Sequence, residues 1–356
     1  MFFKKLLNFI YEITPPIVIK IYNKIKNNSG TNEDIVGEEV RYNRFAISVA
    51  ERKRLPFADV ESITKDYICS IDFSDCFFYG AVKVLNDYIG LYANIYNCGS
   101  FCIQHGFHFP DFIPSGMFEN VKNYLAWSDI EKNYFFNKIN SKIYSIGAPF
   151  LYAQSLLSEN QILKEKQRLG YNLLVYPSHS LSYTSVEFNI DEFIKVIDSE
   201  KERFDSIRIC IFWVDVKKGL HKKFQEAGYE CVCCGRIDDY YFLNRQRSLL
   251  EIADCVLSND LGSHVGYSLY LKKPVRIIKQ DINTSWFYKD NICEVECEKR
   301  YLEIRKRFET YIGLFTDSEY RITEQQMKFA DDYWGFSCKK KPEEILQIYK
   351  EIFSDI

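Results

Sequence analysis

Methionine is nearly missing from this 356-residue chain, with three in all, and histidine is held to five. Few methionines beside 26 tyrosines and 28 phenylalanines reflect the coding bias of an AT-rich genome first, and a sugar-stacking surface second. An excess of positive charge is also lacking. With a formal net charge of −3 the chain has no surplus of Lys and Arg to neutralise phosphates, which argues against nucleic acid as a partner. Long apolar runs are absent from residues 1–27, where nothing reaches the roughly 18 residues that a spanning helix requires. No small-residue cleavage site marks a secretory signal there. Repeats of fixed period and low-complexity blocks are missing too.

Cysteine is not scarce, at twelve. Most, such as Cys69, Cys210 and Cys255, sit in apolar stretches where a thiol behaves as a small hydrophobe. A chain of this size needs no disulfide scaffold. The dense cluster Cys231, Cys233 and Cys234 would need a second ligand pair to hold zinc, and Cys293 with Cys297 is the nearby candidate. Reduced core thiols in a cytoplasmic protein are expected instead, with no metal site.

What is present is an ordinary globular balance, 47% apolar and 27% charged residues, over a length sufficient for two domains. Residues 1–27 form two short basic amphipathic pieces broken at Pro15-Pro16, and a linker follows through Asn32. Such a segment either lies on an anionic membrane surface or docks on the protein's own core. Beyond it, short apolar runs alternate with helix-spaced stretches, the pattern of an α/β protein with parallel sheets. Strands are expected at 66–72, 101–103, 124–127 and 142–146, with helices over 78–96 and 130–139. A polar helical bridge spans 151–170. A second series places strands at 172–176, 207–214, 229–234, 254–258 and 274–278, and helices at 191–203, 217–227, 245–253 and 264–272. Helices near 298–312 and 342–353 close the chain. The expected division is an N-terminal segment (1–32), a first domain (33–160), a second (161–335) and a C-terminal helix (336–356).

In open parallel sheets, ligands bind beyond the carboxyl ends of strands. Three polar clusters fall there: 104–111 (QHGFHFPD), 177–180 (PSHS) and 258–267 (SNDLGSHVGY). Every histidine except His221 lies in one of them. In the third, Gly262 permits a tight turn and Ser263 is a suitable N-cap, so the following helix offers N–H groups to a diphosphate. Capping alone would need no ligand, but His264 beside the cap favours phosphate.

The order of Gln104-His105-Gly106, the YLAWSD run at 124–129, IGAPFLY at 146–152, LVYPSHS at 174–180 and ADCVLSNDLGSHVGYSLYLKKPV at 253–275 resembles capsule and O-antigen glycosyltransferases of the GT-B architecture. The likeness covers roughly residues 66–280. It implies two facing Rossmann-like domains, with the nucleotide on the second, the acceptor mainly on the first, and the last helix returning to the first domain. It implies a nucleotide-sugar donor as substrate, no cofactor, and usually no essential metal. The acceptor would be a glycan or lipid-linked glycan of a surface polysaccharide, built at the cytoplasmic face of the inner membrane with peripheral contact to it. The Glu-rich donor signature of better-known subfamilies is missing.

Glycosyl transfer needs a base for the acceptor hydroxyl and stabilisation of the leaving phosphate. His105 and Asp111 are the candidates for the base; an unperturbed imidazole titrates near neutrality, and a carboxylate serves the same task. Ser178, His179, Ser180, Ser263 and His264 are candidate donors to the phosphates. Arg236 either touches the nucleotide or forms a surface ion pair. Asn259 and Asp260 either orient their loop or contact the donor. The acidic pairs Asp238-Asp239 and Asp331-Asp332 are expected to be solvated loop charges. A sugar-nucleotide epimerase of the same architecture and a polyol-phosphate transferase are the alternative activities, and a non-enzymatic scaffold is the third class.

Overall fold

The computed structural model describes residues 51–65, 75–91, 101–112, 118, 121–181, 184–286 and 294–353. The N-terminal segment and linker (1–32) and the strand expected at 66–72 lie outside them. The first sheet is built from β1 (Phe101–Ile103), β2 (Asn123–Ala126) and β3 (Lys142–Ser145), all parallel, in the order β1-β2-β3. Helix α1 (Ala81–Tyr88) precedes it, and α2 (Asp129–Phe135) connects β2 to β3. Ser128 caps α2 by accepting the Glu131 N–H. The helix ends short of the expected residue 139 because Asn137 takes the left-handed conformation, φ 68°.

After α3 (Glu159–Leu169) the second sheet begins with β4 (Asn172–Tyr176), buried at every position as a strand covered on both faces should be. The sheet continues through β6 (Ser206–Cys210), β7 (Glu230–Val232), β8 (Cys255–Ser258) and β9 (Val275–Ile277) in the order β7-β6-β4-β8-β9. All four pairings are parallel. The chain therefore grows outward from β4 to β7, then returns to the opposite side of β4 with β8. That reversal opens a crevice at the carboxyl ends of β4 and β8. The connecting helices are α4 (Ile190–Ser199), α5 (Trp213–Lys217), α6 (Leu220–Glu226), α7 (Phe242–Ile252) and α8 (Ser263–Tyr270). The single helix expected over 217–227 is two, broken at Gly219, where φ is +80°. An antiparallel pair, β5 (Thr184–Glu187) with β10 (Asn283–Trp286), lies outside both sheets and carried no alternating signal of its own.

The two sheets share one apolar core. Phe150 stacks on Tyr267 of α8 at 4.2 Å. Trp334, fully buried at the end of α10 (Glu324–Trp334), stacks on Phe107 at 4.4 Å and donates from its indole N–H to the Ser263 carbonyl at 3.0 Å. Gly266 makes that approach feasible, since a Cβ there would stand 2.2 Å from the Trp334 ring. Thr323 and Gln326 start α10 with a reciprocal capping box, a signal that the sequence reading passed over. Helix α11 (Pro342–Phe353) crosses back to the first sheet, where Phe353 meets Phe101 and Glu351 accepts from Lys142 and Tyr144. The architecture is the expected one: two parallel α/β sheets with a returning C-terminal helix. Among the described residues no helix is long and apolar enough to cross a membrane.

Candidate active site

The crevice at the β4–β8 switch is fixed by backbone partners. Asn259 accepts the Ser178 N–H at 2.6 Å and donates to Gln280 at 2.9 Å, so its amide ties the β4 loop to the chain after β9. Ser258 donates to the Tyr176 carbonyl at 2.8 Å. Behind the β4 loop, buried Asp215 accepts the Ser180 N–H at 3.0 Å, and the Ser180 hydroxyl accepts from Val186 N–H and Lys218 Nζ. Of the alternatives for Asn259, it is loop orientation that its bonds serve; Ser180 is likewise turned into the protein.

Two local expectations need correction. Gly262, not Ser263, is the N-cap residue of α8, and it is extended (φ −159°) with no turn demanding glycine. Its lack of a side chain matters for another reason: a Cβ would come within 3.1 Å of the His264 ring. Ser263 is the first helical residue, and its hydroxyl accepts the Phe107 N–H at 2.8 Å. It therefore joins the second-sheet loop to the first-sheet loop. In the first turn of α8 the Val265 N–H bonds back to the Gly262 carbonyl at 3.0 Å, and the Ser263 and His264 N–H groups have no partner within the helix, as at any helix start.

His264 stacks on Tyr176 at 4.6 Å, and its Nε2 is enclosed without a hydrogen-bond partner among the described residues. Burial, with a smaller push from His179, lowers its pKa to about 3. His179 packs on Phe212 at 4.4 Å and keeps a solvent-open face. The protein mass around it nonetheless pushes its pKa down to about 4. Openness to water combined with crowding is what the floor of a recess produces. Both imidazoles are neutral at pH 7, so they offer hydrogen bonds and not charge.

Cations come from residues not foreseen as functional. On α9 (Glu294–Ile312), one guanidinium nitrogen of Arg305 donates to both carboxylate oxygens of Asp260, each at 2.8 Å, and Arg307 makes a bidentate pair with Asp111, both 2.7 Å. Residues two apart on a helix face opposite ways. One helix thus holds the first-sheet loop with one arginine and the second-sheet loop with the other. Burial raises the Asp260 pKa, opposed by Arg305. A cavity of about 720 Å³ adjoins the crevice, lined among others by Asn259, Gln280, Arg305, Lys279, Glu187 and Asp281.

In the first-sheet loop, Gln104 accepts the Trp127 N–H at 2.8 Å, and its own carbonyl accepts from the Trp127 indole at 2.7 Å. This joins the QHG and AWSD runs. His105 stands exposed at the loop's tip, edge-on to Phe78 at 5.1 Å. His108 turns inward. Asp111, the other candidate base, is committed to Arg307, which favours its ionised, weakly basic form. Arg236 is half-buried, paired with Asp238 and set over Trp213, an ion pair with an aromatic floor.

Asp239 overturns the expectation of a solvated charge: it is 3% exposed and paired with the fully buried Arg245 at 2.8 Å. Asp331 accepts the Ser337 N–H, and Asp332 pairs with Lys328. Cys231, Cys233 and Cys234 are free and buried. Among the described residues no three His, Cys, Asp or Glu side chains converge to hold a metal; Cys293 and the Cys297 side chain lie outside that description. Lys218, Asp215, Arg305 and Arg307 gave no sequence signal, because a charge on an amphipathic helix reads the same whether it meets water or a buried partner.

No family model and no curated protein sequence matches the chain. Among solved structures, the wall teichoic acid polymerase TagF is similar at 13% identity, over 74% of this chain and 70% of its own, with a TM-score of 0.37. A UDP-GlcNAc 2-epimerase from Methanocaldococcus jannaschii is similar at 14% identity, over 65% and 63%, TM-score 0.34. The E. coli ADP-heptose LPS heptosyltransferase II shares 9% identity over 55% and 66%, TM-score 0.28. This chain spans slightly under two thirds of the latter two. Superpositions this loose carry no argument about the site, which stands on its own geometry.

Proposed function

We propose that the protein is a glycosyltransferase that moves a sugar from a nucleotide-sugar donor to a growing surface-polysaccharide acceptor, a capsule or O-antigen glycan. The observation that carries this reading is the Phe107 N–H to Ser263 Oγ bond. It brings the loop that carries His105 up to the start of α8. A base on one sheet and an anion cradle on the other is the arrangement that transfer requires.

In the proposed reaction, His105 takes the proton of the acceptor hydroxyl as its oxygen attacks the anomeric carbon. The bond from that carbon to the phosphate oxygen breaks. The departing diphosphate is met by the N-terminal N–H groups of α8, the Ser178 hydroxyl, and the neutral rings of His179 and His264. Arg305 supplies positive charge nearby. These groups stand where a divalent ion would otherwise serve, so the reading is a metal-independent reaction with the nucleotide sugar as substrate and no cofactor. The adjoining cavity is of ligand size, and its carboxylates and amides suit the hydroxyls of a sugar or ribose. We place the protein in the cytoplasm, at the inner face of the membrane if residues 1–27 bind there.

The test is release of nucleotide from the donor with and without a glycan acceptor. Release that depends on acceptor is the expected result. Conversion of the donor sugar without any acceptor would replace the reading with that of an epimerase, and transfer of a polyol phosphate would narrow it to the other alternative.

A further inference from the structure

Beneath the exposed tip of the first-sheet loop lies a group of titratable side chains that the transfer mechanism leaves unused. His108 points inward from the loop, and its Nε2 stands 3.7 Å from Glu131 Oε1 on α2. Glu131, 2% exposed, accepts from the Tyr124 hydroxyl of β2 at 2.5 Å. The other ring nitrogen of His108, Nδ1, lies 3.3 Å from the Phe109 carbonyl. A carbonyl only accepts, so Nδ1 carries the hydrogen and Nε2 presents a lone pair to Glu131. The contact is attractive when one proton lies between the two groups.

Burial sets where that proton rests. It raises the Glu131 pKa to about 8, against the opposing pull of the Tyr124 hydrogen bond. It lowers that of His108 to about 4, with a further downward contribution from His105 and an upward one from Asp111. Glu131 therefore holds the proton at neutral pH and the pair is uncharged. The remaining groups around it are Cys102 of β1, which acts on Tyr124, and Arg307 of α9, which occupies Asp111. An uncharged His108 also spares its neighbour His105 a like charge.

We infer that Tyr124, Glu131 and His108 form a buried chain that holds the 104–111 loop and so aims His105 at the acceptor. Glu131 is a positioning residue: it touches neither substrate nor the reacting atoms, and acts through His108. The inference rests on the reading of His105 as the base.

The experiment uses the full chain with ¹³C-labelled histidine, whose five rings give a spectrum simple enough to assign by single substitutions. His105 and His108 ring signals are followed from pH 4 to 9 in wild type, Glu131→Gln, Glu131→Leu and Tyr124→Phe, alongside acceptor-dependent nucleotide release. Glu131→Gln keeps a donor toward Nε2, so its His105 signal and its rate should stay within about threefold of wild type. Glu131→Leu should move the His105 signal and lower kcat about 10- to 100-fold, the cost of a small misplacement of a reacting group. Affinity for UDP or whichever nucleoside diphosphate binds should stay within about twofold. Tyr124→Phe should move the same signal in the same direction by less, and it decides the matter if Glu131→Leu does not fold. An unmoved His105 signal in both Glu131→Leu and Tyr124→Phe would overturn the inference, as would Glu131→Gln proving as damaging as Glu131→Leu. If His105→Ala kills the reaction while Glu131→Leu keeps full rate, the positioning role alone falls. If His105→Ala keeps full rate, the base assignment falls and this role with it.

Discussion

The first-sheet loop at 104–111 and the second-sheet loops at 177–180 and 258–264 carry the same residue types and use them differently. The first leaves one imidazole, His105, exposed at its tip, and anchors itself through Gln104, the inward His108 and the Asp111–Arg307 pair. The second spends Asn259 and Ser180 on its own architecture and packs both of its imidazoles against aromatic rings, with burial lowering the His264 pKa to about 3. An exposed imidazole suits proton transfer. Rigid neutral donors beside a helix start suit holding an anion that is already charged. Under the proposed mechanism, the division of labour between the sheets follows from burial more than from composition.

The sharpest way to break this comparison is to remove one histidine from each side. His105→Ala should lower transfer by about 100- to 10,000-fold, as loss of a general base does, with nucleotide affinity unchanged. An effect of twofold or less would demote His105 to loop structure. Asp111→Asn is the companion, and should cost far less because that carboxylate is already held by Arg307. If Asp111→Asn proves the dead variant, the base assignment passes to the carboxylate.

On the other side, His264→Ala and His179→Ala, made separately, should cost about 10- to 1000-fold in nucleotide binding or leaving-group departure, the range for one well-placed donor. Full activity in both would remove the crevice from the mechanism.

The two arginines of α9 sharpen the comparison through stability. Arg307 and Asp111 are 42% and 36% exposed as side chains, so Arg307→Ala should cost about 0–1 kcal/mol in urea unfolding. Arg305 and Asp260 are 17% and 22% exposed, and Arg305→Ala leaves a carboxylate in a crowded site. Its cost should be larger, about 1–3 kcal/mol. Equal costs would mean that the second-sheet loop is no more enclosed than the first.

A further comparison concerns pH. His108, His179 and His264 all have folded pKa values depressed below the ordinary 6.5, to about 4, 4 and 3. Their contribution is complete above pH 6.5 and is lost as pH falls toward those values, because the unfolded chain then binds more protons. Glu131 runs the other way. With a folded pKa near 8 against 4.5, its contribution is complete below pH 4.5 and is lost as pH rises through 8. Urea midpoints should therefore fall on acidification below pH 6.5 and decline gently between 6.5 and 8. Glu131→Gln should flatten the second limb and steepen the first between pH 4.5 and 6.5, where Glu131 opposes the histidines; an unchanged second limb would assign that slope elsewhere.

Much of the fold was legible because β4 and β8 carry continuous apolar runs and α11 is strongly amphipathic. All four loop histidines lie just beyond the carboxyl ends of strands, after β1, β4 and β8, as a polar cluster after an apolar strand suggests. What sequence could not convey is who meets whom. For Asn259 the sequence left loop orientation and donor contact open, and its amide is bonded at both ends. Ser263 looked like a cap, and its hydroxyl instead receives a bond from 156 residues away. Arg305 and Arg307 did not stand out within a charged helix, and Asp239 looked like a loop charge, because local periodicity cannot register a partner brought in by tertiary folding. Glu131 was hidden in the same way: in the first turn of a helix an acid is ordinary, and only burial beside Tyr124 and His108 sets it apart.

The central claim is that the β4–β8 crevice binds the diphosphate of a nucleotide sugar. Thermal unfolding in the presence of UDP, GDP, dTDP and CMP and their sugar conjugates tests it most directly, with wild type and His264→Ala measured side by side. A ligand at about 100 times its Kd stabilises the folded state by about 2.7 kcal/mol. The account predicts a clear rise in Tm with at least one of these compounds, and a reduced or absent rise in His264→Ala. No shift with any of them, or one that His264→Ala leaves intact, would contradict it.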